Sequence, residues 1–365
     1  MIGRVQKDTL KKRMLRSGWR FALLLHALLA ARPGRGKTPC VFYGGARSGN
    51  IGGPLVKVKR LQQYFPQHAW NFSLVYGLSN APYLPAIALD WLRWREVPLV
   101  LNQNGVFYPG WYAGDWQRQN AIMGQAYHRA DYVFWQSEFC RRAADRFLGH
   151  RDGPGEILYN AIDTERFVPL PHTTQRPFTF LVTGKIGVHM GYRIESTIAG
   201  LAYARQAGLD AQLVIAGWIE DMAGARALVE RFGVSDFVQF YGSYTQEDAP
   251  AIYGVSDAYV MTKYLDPCPN TVIEALSCGL PVLYSASGGV PELVGEQAGV
   301  GLPVPEDWES IQVPSALAIG EGMLKIAANR DAMGRAARER AIACFDIRHW
   351  IDRHRTIFSS LLGDG

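Results

Sequence analysis

From about residue 38 onward, the chain alternates short apolar runs, rich in β-branched and aromatic residues, with longer amphipathic stretches. Such alternation is typical of parallel sheets whose strands are joined by covering helices. The runs form two series. The first is PCVFY, NFSLVY, VPLVLN, DYVFW and GEILYN, and the second is FTFLVTG, AQLVIAG, FVQFYG, DAYVMT, PVLYS and GVGLPV. The pattern predicts an α/β protein with two doubly wound domains.

The domain boundaries follow from length and composition. A chain of 365 residues is longer than one hydrophobic core usually supports. The polar, proline-containing segment NAIDTERFVPLPHTTQRP separates the two series and predicts an interdomain linker. We therefore expect a leader at 1–37, an N-terminal domain at 38–170, a C-terminal domain at 171–345 and a final helix at 346–365.

Charge is concentrated at the N-terminus. Residues 1–40 hold ten Lys/Arg and one acid, and subtracting this +9 from the total of +5 leaves −4 on the other 325 residues. A mildly acidic body argues against a nucleic-acid partner. The five cysteines are scattered and form no Cys-x-x-Cys pair, which fits a reducing cytoplasm.

The basic leader predicts an amphipathic helix, because Leu10, Met14, Phe21, Leu25 and Leu28 recur at helical spacing. Its apolar run FALLLHALLAA is too short to cross a bilayer. Two interpretations stay open. Residues 1–31 lie on an anionic membrane surface, or they form a helix packed on the body of the protein or a frayed terminus.

Two loops after predicted strands have the composition of phosphate sites. The first, GGARSGNIGG, is followed by Pro54 and a helix, and its glycines, including Gly52 and Gly53, would let backbone N–H groups approach a phosphate. It matches neither the dinucleotide fingerprint nor the P-loop, so a flexible turn is the alternative. The second, VTGKIGVHMGYR, offers the cations Lys185 and Arg193.

The stretch DPCPNTVIEALSCGLPV follows the strand-like run DAYVMT. Asn270 is expected to cap a helix that ends at Gly279, with the first N–H groups, at Asn270, Thr271 and Val272, facing an anion. Glu274, one turn in, could accept hydrogen bonds from the vicinal hydroxyls of a ribose. Asp266 would lie at the mouth of the loop.

These residues carry a family resemblance. DPCPNTVIEALSCGLPVLYSASGGVPELVG resembles the acidic-x7-Glu signature of the family 4 retaining glycosyltransferases, and NAIDTERFVP, GKIGVHMG and YGGARSGNIGG resemble other motifs of that family. The resemblance runs from about residue 40 to the end. It implies the GT-B fold, in which two Rossmann-like doubly wound domains face a central cleft, and a last helix that crosses back to the N-terminal domain.

The resemblance also implies roles for site residues. Glu274 would bind the nucleotide ribose, Asp266 the donor sugar, and Lys185 the diphosphate, together with the backbone near Gly53 and Thr271. Asp266, Lys185 and Glu274 are therefore the expected catalytic residues. A covalent nucleophilic role for Asp266 is the less favoured alternative.

Three departures from the family pattern stand out. Asp266 replaces the usual Glu, Met190 replaces a phosphate-binding Lys unless Arg193 compensates, and Asn104-Gly105 replaces a His-Gly pair. The acceptor is expected to contact Asn104, Tyr108, Trp111 and Asp115 in the N-terminal domain, although aromatic residues there could equally belong to the core. No metal-binding motif is present in the sequence, and no metal or other cofactor is expected.

The sequence thus predicts a retaining transfer of a hexosyl unit from a nucleoside diphosphate sugar to a saccharide or lipid-linked saccharide, in polysaccharide or glycolipid biosynthesis. The alternative is a GT-B sugar-nucleotide binder, epimerase or phosphorylase without transferase activity. A nicotinamide oxidoreductase is a more distant alternative because the dinucleotide fingerprint is missing. The expected location is the cytoplasm, peripheral to the inner face of the cytoplasmic membrane if the leader binds lipid.

Overall fold

A computed structural model describes residues 10–34, 38–49, 53–170 and 176–363. The chain forms two compact units. The N-terminal unit contains Gln6–Tyr159 and Arg348–Gly365, and the C-terminal unit contains Asn160–Ile347. Each unit is built on a parallel sheet, and each predicted strand-like run overlaps an observed strand.

The N-terminal unit has a five-stranded parallel sheet in the order β1-β2-β3-β4-β5. Its strands are β1 (Val41–Phe42), β2 (Leu74–Leu78), β3 (Leu99–Gln103), β4 (Tyr132–Trp135) and β5 (Gly155–Ile157). This order follows the chain without reversal, so the sheet has no topological switch point.

Helices cover both faces of this sheet. They are α1 (Leu10–Ala30), α2 (Gly53–Tyr64), α3 (Ala86–Trp94), α4 (Trp116–Tyr127), α5 (Glu138–Leu148) and, from the end of the chain, α12 (Ile347–Leu362). Side chains from α1, α3, α4 and α5 pack in one core cluster with alternate strand residues such as Val75, Leu101 and Val133.

The opposite face of the sheet carries an aromatic cluster around His354 of α12. The His354 ring lies 4.7 Å from the ring of Phe134 and 5.4 Å from that of Tyr76, both strand residues. Phe358 packs edge-on to Phe65 at the end of α2, with 4.9 Å between ring centroids. Residues from the end of the chain therefore complete the core of the N-terminal unit.

The C-terminal unit has a six-stranded parallel sheet in the order β11-β10-β9-β6-β7-β8. Its strands are β6 (Phe178–Thr183), β7 (Ala211–Ala216), β8 (Val238–Gly242), β9 (Ala258–Met261), β10 (Val282–Ala286) and β11 (Gly299–Pro303). The chain winds outward from β6 to β8 and then returns to place β9 on the other side of β6. The order therefore reverses between β6 and β9.

The helices of this unit are α6 (Tyr192–Gln206), α7 (Met222–Arg231), α8 (Ala249–Gly254), α9 (Asn270–Ser277), α10 (Val290–Val294) and α11 (Ala316–Phe345). Single 3₁₀ turns occur at Val188–Met190 and Ser235–Phe237. Side chains of α6, α7 and α11 pack with strand residues such as Phe180, Leu213 and Val260 in a second core cluster. Asn329 has non-helical φ/ψ and marks a kink in α11.

Residues 160–169, within the segment predicted as linker, are held on the C-terminal unit. Asn160 donates its side-chain amide to the carbonyl of Cys268 at 2.7 Å. Arg338 donates to the carbonyls of Thr164 and Phe167 at 2.8 and 2.7 Å. Because these backbone groups are bonded to α11 and the loop before α9, the division between the units lies at Tyr159 and Asn160.

Candidate functional site

The reversal of strand order in the C-terminal unit marks the candidate site. In open α/β sheets, ligands bind outside the carboxyl ends of the strands where the order reverses. β6 and β9 are paired neighbours at this point, with Leu181 opposite Tyr259. The loops that leave them, which contain Lys185 and Asp266, therefore start side by side.

Lys185 lies at the exit of β6 and is exposed. Its ammonium is 4.7 Å from the ring centroid of Trp218, which follows β7. The two loops touch through their backbones, because a Cβ built at Gly217 would lie 2.0 Å from the carbonyl oxygen of Gly184. A cation held over an aromatic ring keeps its charge available to an anion in the same loop.

Arg193 supplies a second cation, and it is only 4% exposed. One guanidinium nitrogen, Nη2, is 3.3 Å from the carbonyl oxygen of Thr183, the last residue of β6. Its Nε has no hydrogen-bond partner among the described residues. Arg193 thus reaches the β6 exit, whereas Met190 packs against the apolar core.

Helix α9 runs from Asn270 to Ser277 with the extended Pro269 at the N-cap position. The expectation that Asn270 caps this helix is therefore wrong. Pro269 already has extended φ/ψ (−70°, 121°), so Asn270 is the first helical residue and Thr271 and Val272 follow within the first turn. The predicted helix end is confirmed, since Gly279 follows the C-cap with a φ of +70°.

Glu274 of α9 ends a chain of hydroxyl groups. Tyr253 donates to Glu274 Oε2 at 3.0 Å, and Thr183 Oγ1 lies 3.0 Å from the hydroxyls of both Tyr253 and Tyr259. Each hydroxyl has one proton, and that of Tyr253 goes to the carboxylate. The Tyr253 hydroxyl is therefore the donor to Glu274 and can only accept from its other hydroxyl neighbours, Thr183 and Tyr244.

The hydroxyl groups of this chain are shielded from solvent. Tyr253 and Tyr259 have no exposed surface, and Glu274 is 8% exposed. Burial, followed by the negative charge of Glu274, raises the pKa of Tyr253 and Tyr244 well above the usual range. The same two causes raise the pKa of Cys278 to about 12. The phenols and the thiol therefore stay neutral, and Tyr253 is the hydroxyl that donates to the carboxylate.

Asp266 is held from two sides. Lys263 Nζ donates to its Oδ2 at 2.7 Å, and the amide of Cys268 donates to its Oδ1 at 3.3 Å. The preceding residue, Leu265, has a φ of +48°, which is strained for a side chain branched at Cγ. Backbone bonding from the next loop supports this conformation, since Gly289 N donates to the carbonyl of Asp266 at 2.9 Å.

The surroundings of Asp266 are cationic as well as acidic. Lys263 and Asp266 have side chains 25% and 11% exposed, so their ion pair is partly shielded from water. Burial, and then the charge of Lys263, lower the pKa of His189 on the loop after β6. The charge of Lys263, on the loop after β9, therefore acts on a residue of the loop after β6.

Sequence reasoning missed Lys263, Trp218 and Tyr253 at this site. Lys263 could have been found, because it precedes Asp266 by three residues. Trp218 follows the glycine after β7 and has a weaker local signal. Tyr253 lies 21 residues before Glu274, and nothing in its local sequence indicates that contact.

The glycine loop of the N-terminal unit is described only in part. Gly44 and Gly45 have positive φ values, and Gly53 is the first residue of α2, which puts Pro54 in its first turn. Gly52 lies outside the described residues. On α2, the buried Lys57 donates to Asn102 at the end of β3 at 2.7 Å.

The expected acceptor residues have mixed environments. Asn104 is half-buried, and its backbone N–H donates to Ser79 Oγ at 2.9 Å. Trp111 is half-buried. Tyr108 is 8% exposed, and its ring is tilted relative to that of Phe147, with 6.3 Å between the ring centroids. Asp115 caps α4 by accepting from the amide of Arg118.

Within residues 10–34, 38–49, 53–170 and 176–363, no three His, Cys, Asp or Glu side chains cluster as metal ligands would.

Comparison with known sequences gives a consistent assignment. Residues 193–340 match the family model described as Glycosyl transferases group 1. The chain is similar to glycogen synthase of Mycobacterium tuberculosis, with 25% identity over 306 residues that cover 79% of this chain and 68% of the relative. It is also similar to the GDP-mannose-dependent alpha-(1-6)-phosphatidylinositol monomannoside mannosyltransferase of that organism, with 28% identity over 57% of this chain and 56% of the relative.

Comparison with solved structures establishes the fold. The crystal structure of Anabaena Alr3699/HepE in complex with UDP superposes with a TM-score of 0.66 at 17% identity, covering 84% of this chain and 82% of that chain. The fold is GT-B, as the sequence predicted. Together, the matched family model and relatives support a glycosyltransferase.

Proposed function

We propose that this protein is a retaining glycosyltransferase of family 4 that moves a hexosyl unit from a nucleoside diphosphate sugar to an acceptor hydroxyl, in polysaccharide or glycolipid biosynthesis. The observation that carries the proposal is the position of Glu274. Its carboxylate is fixed by the Tyr253 hydroxyl at the reversal of strand order, on the same sheet edge as Lys185 and Arg193.

The donor is bound in this proposal through complementary charges. The carboxylate of Glu274 accepts hydrogen bonds from the two ribose hydroxyls. The diphosphate meets Lys185, Arg193 and the first N–H groups of α9, at Asn270, Thr271 and Val272, with the glycine loop near Gly52 and Gly53 contributing backbone groups. Asp266 accepts hydrogen bonds from the donor sugar.

In the transfer step, the bond between the sugar C1 and the diphosphate oxygen breaks, and the acceptor oxygen bonds to C1 on the same face. The acceptor proton passes to the departing diphosphate oxygen. Lys185 and Arg193 stabilise the negative charge that develops on that oxygen, since cations already in place at a developing charge lower the energy of the transition state. No metal ion or other cofactor is required in this scheme.

The acceptor is proposed to be a saccharide or lipid-linked saccharide, contacted by Asn104, Tyr108, Trp111 and Asp115 of the N-terminal unit. The relative named as a phosphatidylinositol monomannoside mannosyltransferase supports an acceptor of this class. The proposed location is the cytoplasm, at the inner face of the cytoplasmic membrane, where lipid-linked acceptors would be met.

The test combines binding and turnover. UDP-, GDP- and ADP-sugars are screened for thermal stabilisation of the full chain, because a ligand at 100 times its Kd stabilises by about 2.7 kcal/mol. Transfer is then followed as nucleoside diphosphate released only when acceptor is present. Glu274→Ala should abolish both thermal stabilisation and nucleoside diphosphate release. Glu230→Ala, at an exposed position of α7, should change neither. Stabilisation without acceptor-dependent release would favour a sugar-nucleotide binder instead.

A further inference from the structure

Helix α1 has two apolar faces, and the described residues of the protein cover only one of them. Leu23, Ala27 and Ala30 are at most 4% exposed and belong to the core of the N-terminal unit. Leu10, Met14, Phe21, Leu25 and Leu28 lie on the opposite side at spacings of four, seven, four and three residues, and their exposure ranges from 38% to 72%. These five residues form the outer face of α1.

Exposed aromatic and aliphatic side chains border this helix. Trp70 is 63% exposed and lies edge-on to His26 of α1, with 5.5 Å between the rings. Helix α3, which packs against α1, exposes Ile87 and Trp94 at 64% and 70% on one side. Large apolar side chains exposed in such density mark an interaction surface rather than ordinary scatter.

We propose that the outer face of α1 docks on an anionic membrane surface, with the helix lying along the interface. Apolar side chains on one face and basic residues along the helix are the features of helices that bind at lipid headgroups. Residues 1–40 contain ten Lys/Arg and one acid, which complements anionic lipid. None of the described helices is long and apolar enough to cross a bilayer.

A second copy of this chain fits the surface less well. Pairing two outer faces would bring together two N-terminal segments that each have a net charge of +9, and like charges at close range repel. A membrane rich in anionic lipid removes this conflict, because the same charges then attract. The positive charge of residues 1–40 therefore favours binding to anionic lipid over pairing of two copies of this chain.

The experiment uses the full chain and vesicles with and without phosphatidylglycerol. Phe21→Gln combined with Leu25→Gln removes apolar surface without changing charge, and Leu317→Gln combined with Ile342→Gln is the matched control on exposed positions of α11. Wild type and control should sediment with the anionic vesicles. The outer-face variant should bind at least about ten-fold more weakly and lose the binding that wild type keeps at 1 M salt, where the Debye length is about 3 Å.

Substitution is preferable to removal of the leader, because Leu23, Ala27 and Ala30 form part of the core. Equal thermal unfolding temperatures for both variants would show that the fold is intact. Equal vesicle binding by both variants, or no binding by wild type, would overturn the proposal. Wild-type dimers that become monomers in the outer-face variant, without vesicle binding, would assign the face to a second copy. Neither measurement depends on sugar transfer, so the proposed enzyme activity can fail separately.

Discussion

At the residue scale, the main feature of the candidate site is the carboxylate of Glu274, which the neutral hydroxyl of Tyr253 orients. Tyr253 donates to one oxygen of Glu274, because a carboxylate only accepts, and Thr183 Oγ1 lies 3.0 Å from the hydroxyls of Tyr253 and Tyr259. A buried acid that is oriented in this way can offer its remaining acceptor positions to a ligand without losing its geometry. The network is thus expected to contribute to donor affinity and not to the chemical step.

Tyr253→Phe should weaken binding of nucleoside diphosphate about ten-fold or more, because a hydrogen bond to a charged group contributes about 1.5–3 kcal/mol. The KM for the donor should rise while kcat changes little. Isothermal titration and steady-state kinetics measure both. Tyr43→Phe removes a buried phenol that donates to a carbonyl in the N-terminal unit, and it should leave nucleotide affinity unchanged.

A sharper form of this experiment uses nucleotides that lack the ribose hydroxyls. If Tyr253 acts only by orienting Glu274 toward those hydroxyls, the Phe variant and wild type should bind the 2′,3′-dideoxy nucleotide equally. An undiminished effect of the substitution on that ligand would show that Tyr253 acts elsewhere.

Asp266→Glu should be tolerated or should raise turnover, since the position is proposed to bond sugar hydroxyls and a longer side chain can still reach Lys263. Asp266→Asn should weaken donor binding, because it removes the negative charge that pairs with Lys263 and that is proposed to accept hydrogen bonds from the sugar hydroxyls. Transfer rates of the two variants decide the point. Complete loss of activity in the Glu variant would instead indicate a role that depends on the length of the side chain.

At the element scale, the site depends on a close approach of two loops. Gly288 follows β10 with a φ of +67°, and a Cβ there would lie 2.5 Å from the carbonyl oxygen of Asp266. Such a separation does not occur between real atoms, so any side chain must push the Asp266 loop away. The glycine at position 288 is therefore explained by the position of the acid after β9.

Gly288→Ala should reduce transfer far more than Gly233→Ala. Gly233 has the same φ of +67° but no atom within 4 Å of its Cβ position, so it reports the backbone strain alone. Both variants should lose roughly 1 kcal/mol of unfolding free energy from that strain. Chemical denaturation and transfer assays on the pair would separate the two effects. Equal activities would argue against steric coupling of the loops.

Helix α12 should make the stability of the protein pH-dependent. Burial lowers the pKa of His354 to about 3 from an ordinary 6.5. Nδ1 faces the carbonyl of Trp350, which only accepts, so the neutral ring has its proton there and Nε2 accepts from Tyr76. Below pH 6.5 the unfolded chain takes up a proton that the folded chain refuses, so this contribution to stability is lost as pH falls.

The expected loss is about 1.4 kcal/mol per pH unit between the two pKa values. Urea unfolding at pH 7 and pH 5 measures it. His354→Gln, which can still bond both partners, should flatten the dependence over this window. His68→Gln, at an exposed position, should leave it unchanged. Identical slopes for wild type and His354→Gln would contradict the assignment.

At the scale of the whole molecule, the proposed donor site belongs to the C-terminal unit and the proposed lipid-binding helix α1 belongs to the N-terminal unit. If both proposals hold, membrane attachment should raise the local concentration of a lipid-linked acceptor without altering the donor site. Catalysis and recruitment would then be separable functions of the two units.

The combined Phe21→Gln and Leu25→Gln variant should accordingly transfer sugar to a water-soluble acceptor at the wild-type rate. Its transfer to a lipid-linked acceptor in anionic vesicles should fall about ten-fold, following the loss of binding. Parallel assays with the two acceptor forms measure this ratio. An equal loss with both acceptors would show that the outer face of α1 affects the fold or the site.

Local sequence determined much of this protein. The strand-like runs overlap the observed strands, and Gly279 ends α9 as expected, because apolar period and turn chemistry act over a few residues. The acidic-x7-Glu stretch led to Asp266 and Glu274 for a similar reason. Its proline, helix and glycine signals are all contained in 17 residues. The apolar spacing of α1 likewise predicted its amphipathic character.

Only the tertiary structure decided which residues meet. The consecutive strand order of the N-terminal sheet and the reversal between β6 and β9 depend on pairing between distant segments. Thr183 and Tyr259 meet across 76 positions, and Tyr76 and His354 across 278. Hydrogen bonds and packing at such separations arise from the whole fold and leave no periodic trace in the chain. For the same reason, the sequence could place apolar residues on both sides of α1, but only the packed core showed which side remains open.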